Sequence, residues 1–261
     1  MNTIIGSHDL ALIVLDTLRY DVAVEEMREG RTPNLARLIP GGWEQRHSPG
    51  TFTYAAHAAF FAGFLPTPAR PGKHERRLAL GFEGSETTGE GTCVLEGATI
   101  VEGLAARGYH TLCVGGVGFF NLQNPLGNVL PGLFAERHWS PALGVRDPRS
   151  FENQIDVIER SLAALPADRR AFTFLNVSAL HQPNHFYLDG GPPRDSRASH
   201  AAALRYLDAH VPRLIAVLRA RGPAFVIACS DHGTLYGEDG YVGHRVAHPL
   251  VTTVPYAEII P

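Results

Sequence analysis

The chain has 261 residues, 44% of them apolar and 19% charged, with a net charge of −3 when histidine is neutral. That supplies a sizeable core and is far from the composition of a disordered chain, and the lack of a basic surplus gives no indication of sequence-independent binding to nucleic acid or anionic membrane. No apolar run reaches the roughly 18 residues of a membrane helix, and residues 1–10 lack the features of a secretion signal, so a single-domain cytoplasmic protein with no membrane partner is expected.

Residues 10–15 (LALIVL) form a continuous apolar run ending at Asp16, the pattern of a buried strand in a parallel sheet. Thr32-Pro33-Asn34 offers a helix start, with Leu35 and Leu38 spaced for one buried face. Residues 52–63, dense in Ala and Phe, predict a short buried helix with Thr53 as N-cap and Gly63 as its stop. A helix follows over 100–107, closed by Gly108, then a strand over 110–114 and the pair Gly115-Gly116.

Ile155, Ile158 and Leu162 mark a helix over 151–165, followed by a strand over 171–177 (AFTFLNV) and a loop over 181–194 rich in His, Pro, Asn and Gly. Residues 199–221 carry Leu204, Leu207, Val211, Leu214 and Leu218 at helical spacing, with a kink expected at Pro212. Strands over 224–228 (AFVIA) and 251–259 complete the chain. This alternation predicts an α/β fold around a mostly parallel central sheet with helices on both faces. Cys93, Cys113 and Cys229 are odd in number and widely spaced, which indicates neither a disulfide framework nor a thiolate zinc site; Cys113 and Cys229 read as buried filler.

Polar residues gather just past strand ends, at Asp16, His181 and Asp231, where open α/β sheets bind ligands. A carboxylate ending an apolar strand caps a following helix or ligates a cation. Asp231-His232 repeats the arrangement and adds an imidazole, a donor set better matched to Zn²⁺, Mn²⁺ or Fe than to a purely oxygen-seeking ion. His181 with His185, and His244 with His248, form H-x-x-x-H pairs in loop-like surroundings; they read as hydrogen-bonded loop structure or as candidates for a second metal or for substrate contact. Thr53 at a helix N-terminus reads as a plain cap or as a nucleophile placed where the dipole favours an anion, and the two roles are compatible.

Several of these segments, in order, resemble the alkaline phosphatase superfamily, and most closely its sulfatase-like branch. Residues 15–21 (LDTLRYD) resemble its first metal motif and residues 32–38 (TPNLARL) the TPNL-x-RL segment after it. Residues 53–63 (TYAAHAAFFAG) are similar to the nucleophile helix, residues 108–111 (GYHT) to the GY-x-T strand, and residues 230–233 (SDHG) to the later metal strand. The resemblance implies one alkaline-phosphatase-like catalytic domain over 1–261, and the compact layout is similar to a group of small bacterial hydrolase-like proteins. It departs from sulfatases at Thr53, where Cys or Ser is needed for formylglycine, at Ala55 for Pro, at His57 for Arg, and at Gly116 for a Lys.

By position, the resemblance implies a metal site of Asp16, Asp231 and His232, and Thr53 as nucleophile. His181, His185 and His244 would hold a second metal or the phosphoryl oxygens. His57 would face the leaving group or an oxygen, and Arg19 and Arg245 are further anion-binding candidates. The cofactor expected is one or two divalent ions, Zn or Mn ahead of Fe or Mg. The expected activity is hydrolysis of a small-molecule phosphate mono- or diester through a phospho-threonine. The alternatives are a transferase or mutase using the same site, or a metal-binding partner protein without catalysis. The short chain also suggests a homo-oligomer or a protein partner completing the pocket.

Overall fold

The computed structural model describes residues 3–63 and 99–261; Cys93 and the loop segment 66–92 lie outside the described residues. In chain order the elements are β1 (Asp9–Leu15), α1 (Tyr20–Arg28), α2 (Pro33–Leu38), β2 (Glu44–His47), α3 (Thr53–Ala62), α4 (Ile100–Ala106), β3 (His110–Val114), α5 (Pro125–Val129) and β4 (Glu136–His138). They continue as α6 (Ser150–Ala164), β5 (Ala171–Val177), α7 (Arg197–Arg219), β6 (Ala224–Cys229), β7 (Leu235–Tyr236), β8 (Val242–Gly243), α8 (Pro249–Thr252) and β9 (Thr253–Ile259).

Seven strands form one sheet in the order β2-β9-β6-β1-β5-β3-β4, and β7 and β8 pair separately. The five strands from β6 to β4 run parallel, while β9 is antiparallel to β6 and β2 antiparallel to β9. β1 is central because it is apolar on both faces. Its Ala11, Ile13 and Leu15 pack into a core with α1, α2, α6 and α7, and its Leu10 and Val14 pack on the opposite face with Phe61 of α3 and Val101 and Leu104 of α4. Helices therefore cover both faces, as the alternation predicts.

The differences from the sequence reading lie at element ends. Thr53 is the first helical residue of α3, and Phe52, in extended conformation, occupies the cap position; Gly63 closes the helix in the left-handed conformation (φ 69°). α7 begins at Arg197 through a reciprocal Ser196/Ser199 capping box. The last strand is shortened to β9 by the turn of α8 before it. The edge strands β2 and β4 are short and lack buried residues, so periodicity does not announce them.

At Pro212 the chain stays helical. Proline leaves the Asp208 carbonyl, four residues earlier, without its helical donor. The Asn34 side-chain amide takes that place at 3.0 Å, and the Asp208 carboxylate in return accepts the backbone N–H of Asn34 (3.2 Å) and Leu35 (2.7 Å) at the start of α2. The proline thus costs α7 a bond that its neighbour α2 replaces.

Candidate metal centre and cleft

Register brings the two carboxylates together. β1 and β6 pair in parallel with Val14 opposite Cys229, so Asp16 and Asp231 each extend two residues beyond that rung. The turn after β1 places Thr17 in the left-handed conformation (φ 65°), uncommon for a β-branched residue, and its N–H donates to Asp231 Oδ1 at 3.2 Å. The His232 N–H donates to the same oxygen at 3.0 Å, and Ser48 Oγ donates to the Asp231 carbonyl. Asp16 Oδ2 accepts from Asn176 Nδ2 at 2.8 Å.

One oxygen of each carboxylate is thereby held, while Asp16 Oδ1 and Asp231 Oδ2 are buried without a hydrogen bond. The His232 Nδ1–H donates to the Gly233 carbonyl at 2.8 Å, which leaves the lone pair on Nε2. Ligand atoms of Asp16, Asp231 and His232 all lie within 4.8 Å of one another, and all three residues are buried. Burial, reinforced by the Asp231 charge, pushes the Asp16 carboxyl up to about 6, and burial pushes Asp231 up to about 7. Two adjacent buried carboxylates resist ionising together unless a cation joins them. Two orphaned oxygens and one oriented imidazole nitrogen suit a divalent ion such as Zn²⁺ or Mn²⁺.

Gly233 is required where this segment turns. Its N–H donates to the Val251 carbonyl at 2.7 Å, and a Cβ there would meet the Leu250 carbonyl oxygen at 2.0 Å. Thr53, buried at the start of α3, places Oγ1 3.3 Å from His232 Nε2. The first hydrogen bond of α3, from Ala56 N–H to the Phe52 carbonyl, follows behind it, so the positive end of the helix faces the same place. Thr53 also lines a cleft of about 430 Å³ together with His181, His244 and Arg245.

The histidines expected around this trio divide. The His244 ring centroid lies 4.6 Å from that of His232 and 5.6 Å from that of His181, and its buried Nδ1 has no partner. Burial, then His232 and His181, pull its pKa down to about 3. His181 hydrogen-bonds through Nδ1 to the Gln182 carbonyl at 2.5 Å. His185 does not join them: its Nδ1 lies 3.3 Å from Asp195 Oδ1. His248 caps α8 through the Leu250 N–H and pairs with Asp239.

His57 and Arg19 depart from the substrate-facing positions expected of them. His57 has no exposed surface and sits among the rings of Phe60, Phe61, Phe120 and Phe174. Its Nδ1–H donates to the Thr53 carbonyl at 2.7 Å, and burial pulls its pKa down to about 3. It steadies the first turn of α3 as a neutral ring instead of meeting a substrate. Arg19, only 2% exposed, gives its guanidinium to Asp21 (2.9 and 2.8 Å) and to Glu238. It binds carboxylates of its own chain and fastens the segment after β7.

Asn176 escaped the sequence reading. It stands fully buried on β5 level with Val14, and besides holding Asp16 it accepts the Val117 N–H on Oδ1 at 3.0 Å. Gly116 lies so close that a Cβ would meet the Asn176 carbonyl at 2.5 Å. The available signal was a polar residue near the end of the apolar run AFTFLNV, the same signal that singled out Asp16.

A parallel sheet carrying a carboxylate and an Asp-His pair on adjacent strand ends, with a hydroxyl at a helix start beside them, defines the alkaline phosphatase and sulfatase superfamily. Within it, a sulfatase family model matches residues 8–252, and the chain belongs to that family. No curated protein sequence matches it. In fold it is similar to the soluble domain of lipooligosaccharide phosphoethanolamine transferase A from Neisseria meningitidis (TM-score 0.66, 18% identity, covering 97% of this chain and 77% of that one). It spans 48% of the chain of the integral membrane protein form of that transferase. The periplasmic domain of EptC from Escherichia coli in complex with Zn (TM-score 0.65, 12% identity, 98% and 74% covered) is also similar. So is the lipoteichoic acid synthase LtaP from Listeria monocytogenes (TM-score 0.62, 13% identity, 98% and 66% covered). Among the described residues of this chain, no helix is long and apolar enough to cross a membrane.

Proposed function

We propose that the protein is a metal-dependent phosphoric-ester hydrolase in which Thr53 attacks phosphorus and forms a phospho-threonine that water then cleaves. The observation that carries this reading is the approach of Thr53 Oγ1 to His232 Nε2, where Thr53 lines a cleft and lies beside two buried, unpartnered carboxylate oxygens. Asp16, Asp231 and His232 would hold a divalent ion, Zn²⁺ or Mn²⁺ by donor chemistry. Such an ion supplies charge neutralisation and Lewis acidity to phosphoryl transfer.

The chain's own groups account for the rest. The threonine hydroxyl loses its proton as the Oγ–P bond forms, and the departing ester oxygen gains one as its bond to phosphorus breaks. The N-terminal end of α3 stabilises negative charge on the phosphoryl group. His181 and His244, on the cleft wall, are placed to hold phosphoryl oxygens or a second ion. Thr53 argues against sulfate esters, because a threonine cannot give the formylglycine aldehyde.

The fold shared with phosphoethanolamine transferases and a lipoteichoic acid synthase favours a second reading, in which an acceptor hydroxyl replaces water at the phospho-threonine. The test is turnover of p-nitrophenyl phosphate and bis-p-nitrophenyl phosphate with Zn²⁺ or Mn²⁺ added, with Thr53→Ala as control. Metal-stimulated release of nitrophenol that the substitution abolishes is expected; release that survives Thr53→Ala refutes the nucleophile. Added alcohols that divert the product from phosphate to a new ester would select the transferase.

A further inference from the structure

The cleft beside Thr53 has an apolar lining of Val117, Phe119, Leu126 and Val145, and no Asp or Glu among the described residues that line it. Two of its polar lining residues are amides. Asn121 and Asn124 commit their side-chain oxygens to backbone, accepting from Gln123 N–H at 2.9 Å and from Gly127 N–H at 2.8 Å. The NH2 of each donates to no partner among the described residues.

Arg245 adds a full charge. Its backbone takes the left-handed conformation (φ 72°) and its N–H donates to the Thr51 carbonyl at 2.8 Å. A non-glycine residue held this way marks a position fixed by its surroundings. The guanidinium lies 5.8 Å above the Phe52 ring, which in turn contacts Phe119 of the cleft wall. Among the described residues Arg245 forms no ion pair, in contrast to Arg19, so its charge is not spent internally.

Resting on the phosphoester reading, we propose that this wall is a subsite for the substituent beyond the reacting phosphorus. It selects a substituent with an apolar body and a second anionic group, and rejects one carrying an ammonium. Arg245 and the two amides supply the attraction; the lack of a lining carboxylate leaves a cation without a partner and with Arg245 opposing it. This is the opposite charge preference from one suited to a phosphoethanolamine group.

Three p-nitrophenyl phosphodiesters, with ethyl, 2-carboxyethyl or 2-aminoethyl as second substituent, test this on the full chain with Zn²⁺ or Mn²⁺. The wild type is expected to favour the carboxylate over the amine by roughly tenfold or more in kcat/KM, and Arg245→Glu to reverse that order. A wild-type preference for the amine, or a ratio that Arg245→Glu leaves unmoved, overturns the subsite. If no ester turns over at all, phosphoester chemistry fails while the subsite is still decided by calorimetry. Binding of the three esters to Thr53→Ala should then show the same order in Kd, and equal Kd values or no binding overturn it.

Discussion

Thr53 Oγ1 stands 3.3 Å from Nε2 of His232, the one ring nitrogen that His232 has not given to its own backbone. A nucleophile in that position acts through its hydroxyl alone. Thr53→Ala is expected to lower kcat by at least about a thousandfold while leaving divalent-ion binding measurable by calorimetry, and Thr53→Ser to keep most of the rate. Loss of ion binding along with activity would make Thr53 a support of the metal centre and not its nucleophile.

Asp16 and Asp231 are expected to answer separately for ion affinity. Asp231→Asn or Asp16→Asn removes a charge without removing volume and should weaken Zn²⁺ or Mn²⁺ binding by more than about a hundredfold. Asn176→Ala, which deprives Asp16 of its 2.8 Å donor, should cost about ten- to a hundredfold. Competition with a chelator of known affinity gives all three values.

His200 carries a pH dependence away from the metal centre. It is fully buried between the Leu180 carbonyl and the Arg19 N–H, and burial, then Arg19, pull its pKa down to about 4. The unfolded chain therefore binds a proton at pH values where the folded one does not. The neutral ring's advantage is complete above pH 6.5 and is lost as pH falls toward 4, at a slope of up to about 1.4 kcal/mol per pH unit. In urea unfolding, the stability gap between wild type and His200→Gln should narrow from pH 7 to pH 4.5; a constant gap refutes the assignment.

Two glycines give opposite outcomes on replacement. Gly233→Ala would drive a methyl into the Leu250 carbonyl and is expected to cost about 2–3 kcal/mol or more. Gly103→Ala meets nothing within 4 Å on α4 and should stabilise by about 0.5–1 kcal/mol. Denaturant midpoints at constant m-value decide both.

The central sheet was legible because β1, β5 and β6 are buried on both faces and read as unbroken apolar runs. Asp16, Asp231 and His232 were legible for the same reason, since each follows such a run and parallel register aligns them. β2 and β4 were not, because edge strands need no apolar face. His57 and Arg19 have side chains whose type suggests anion binding, yet their partners decide their roles. Phe120 and Phe174 enclose the first, and Glu238 takes up the second from the far end of the chain. Residue type shows what a group can do; the distant segments folded against it show what it has left to offer.

Asn176 touches both the metal centre and the start of the cleft wall. One face of its amide holds Asp16 and the other holds the backbone of Val117, where the apolar wall of the cleft begins. A substitution at Asn176 therefore removes at once a partner of the Asp16 carboxylate and a partner of the backbone at the start of that wall.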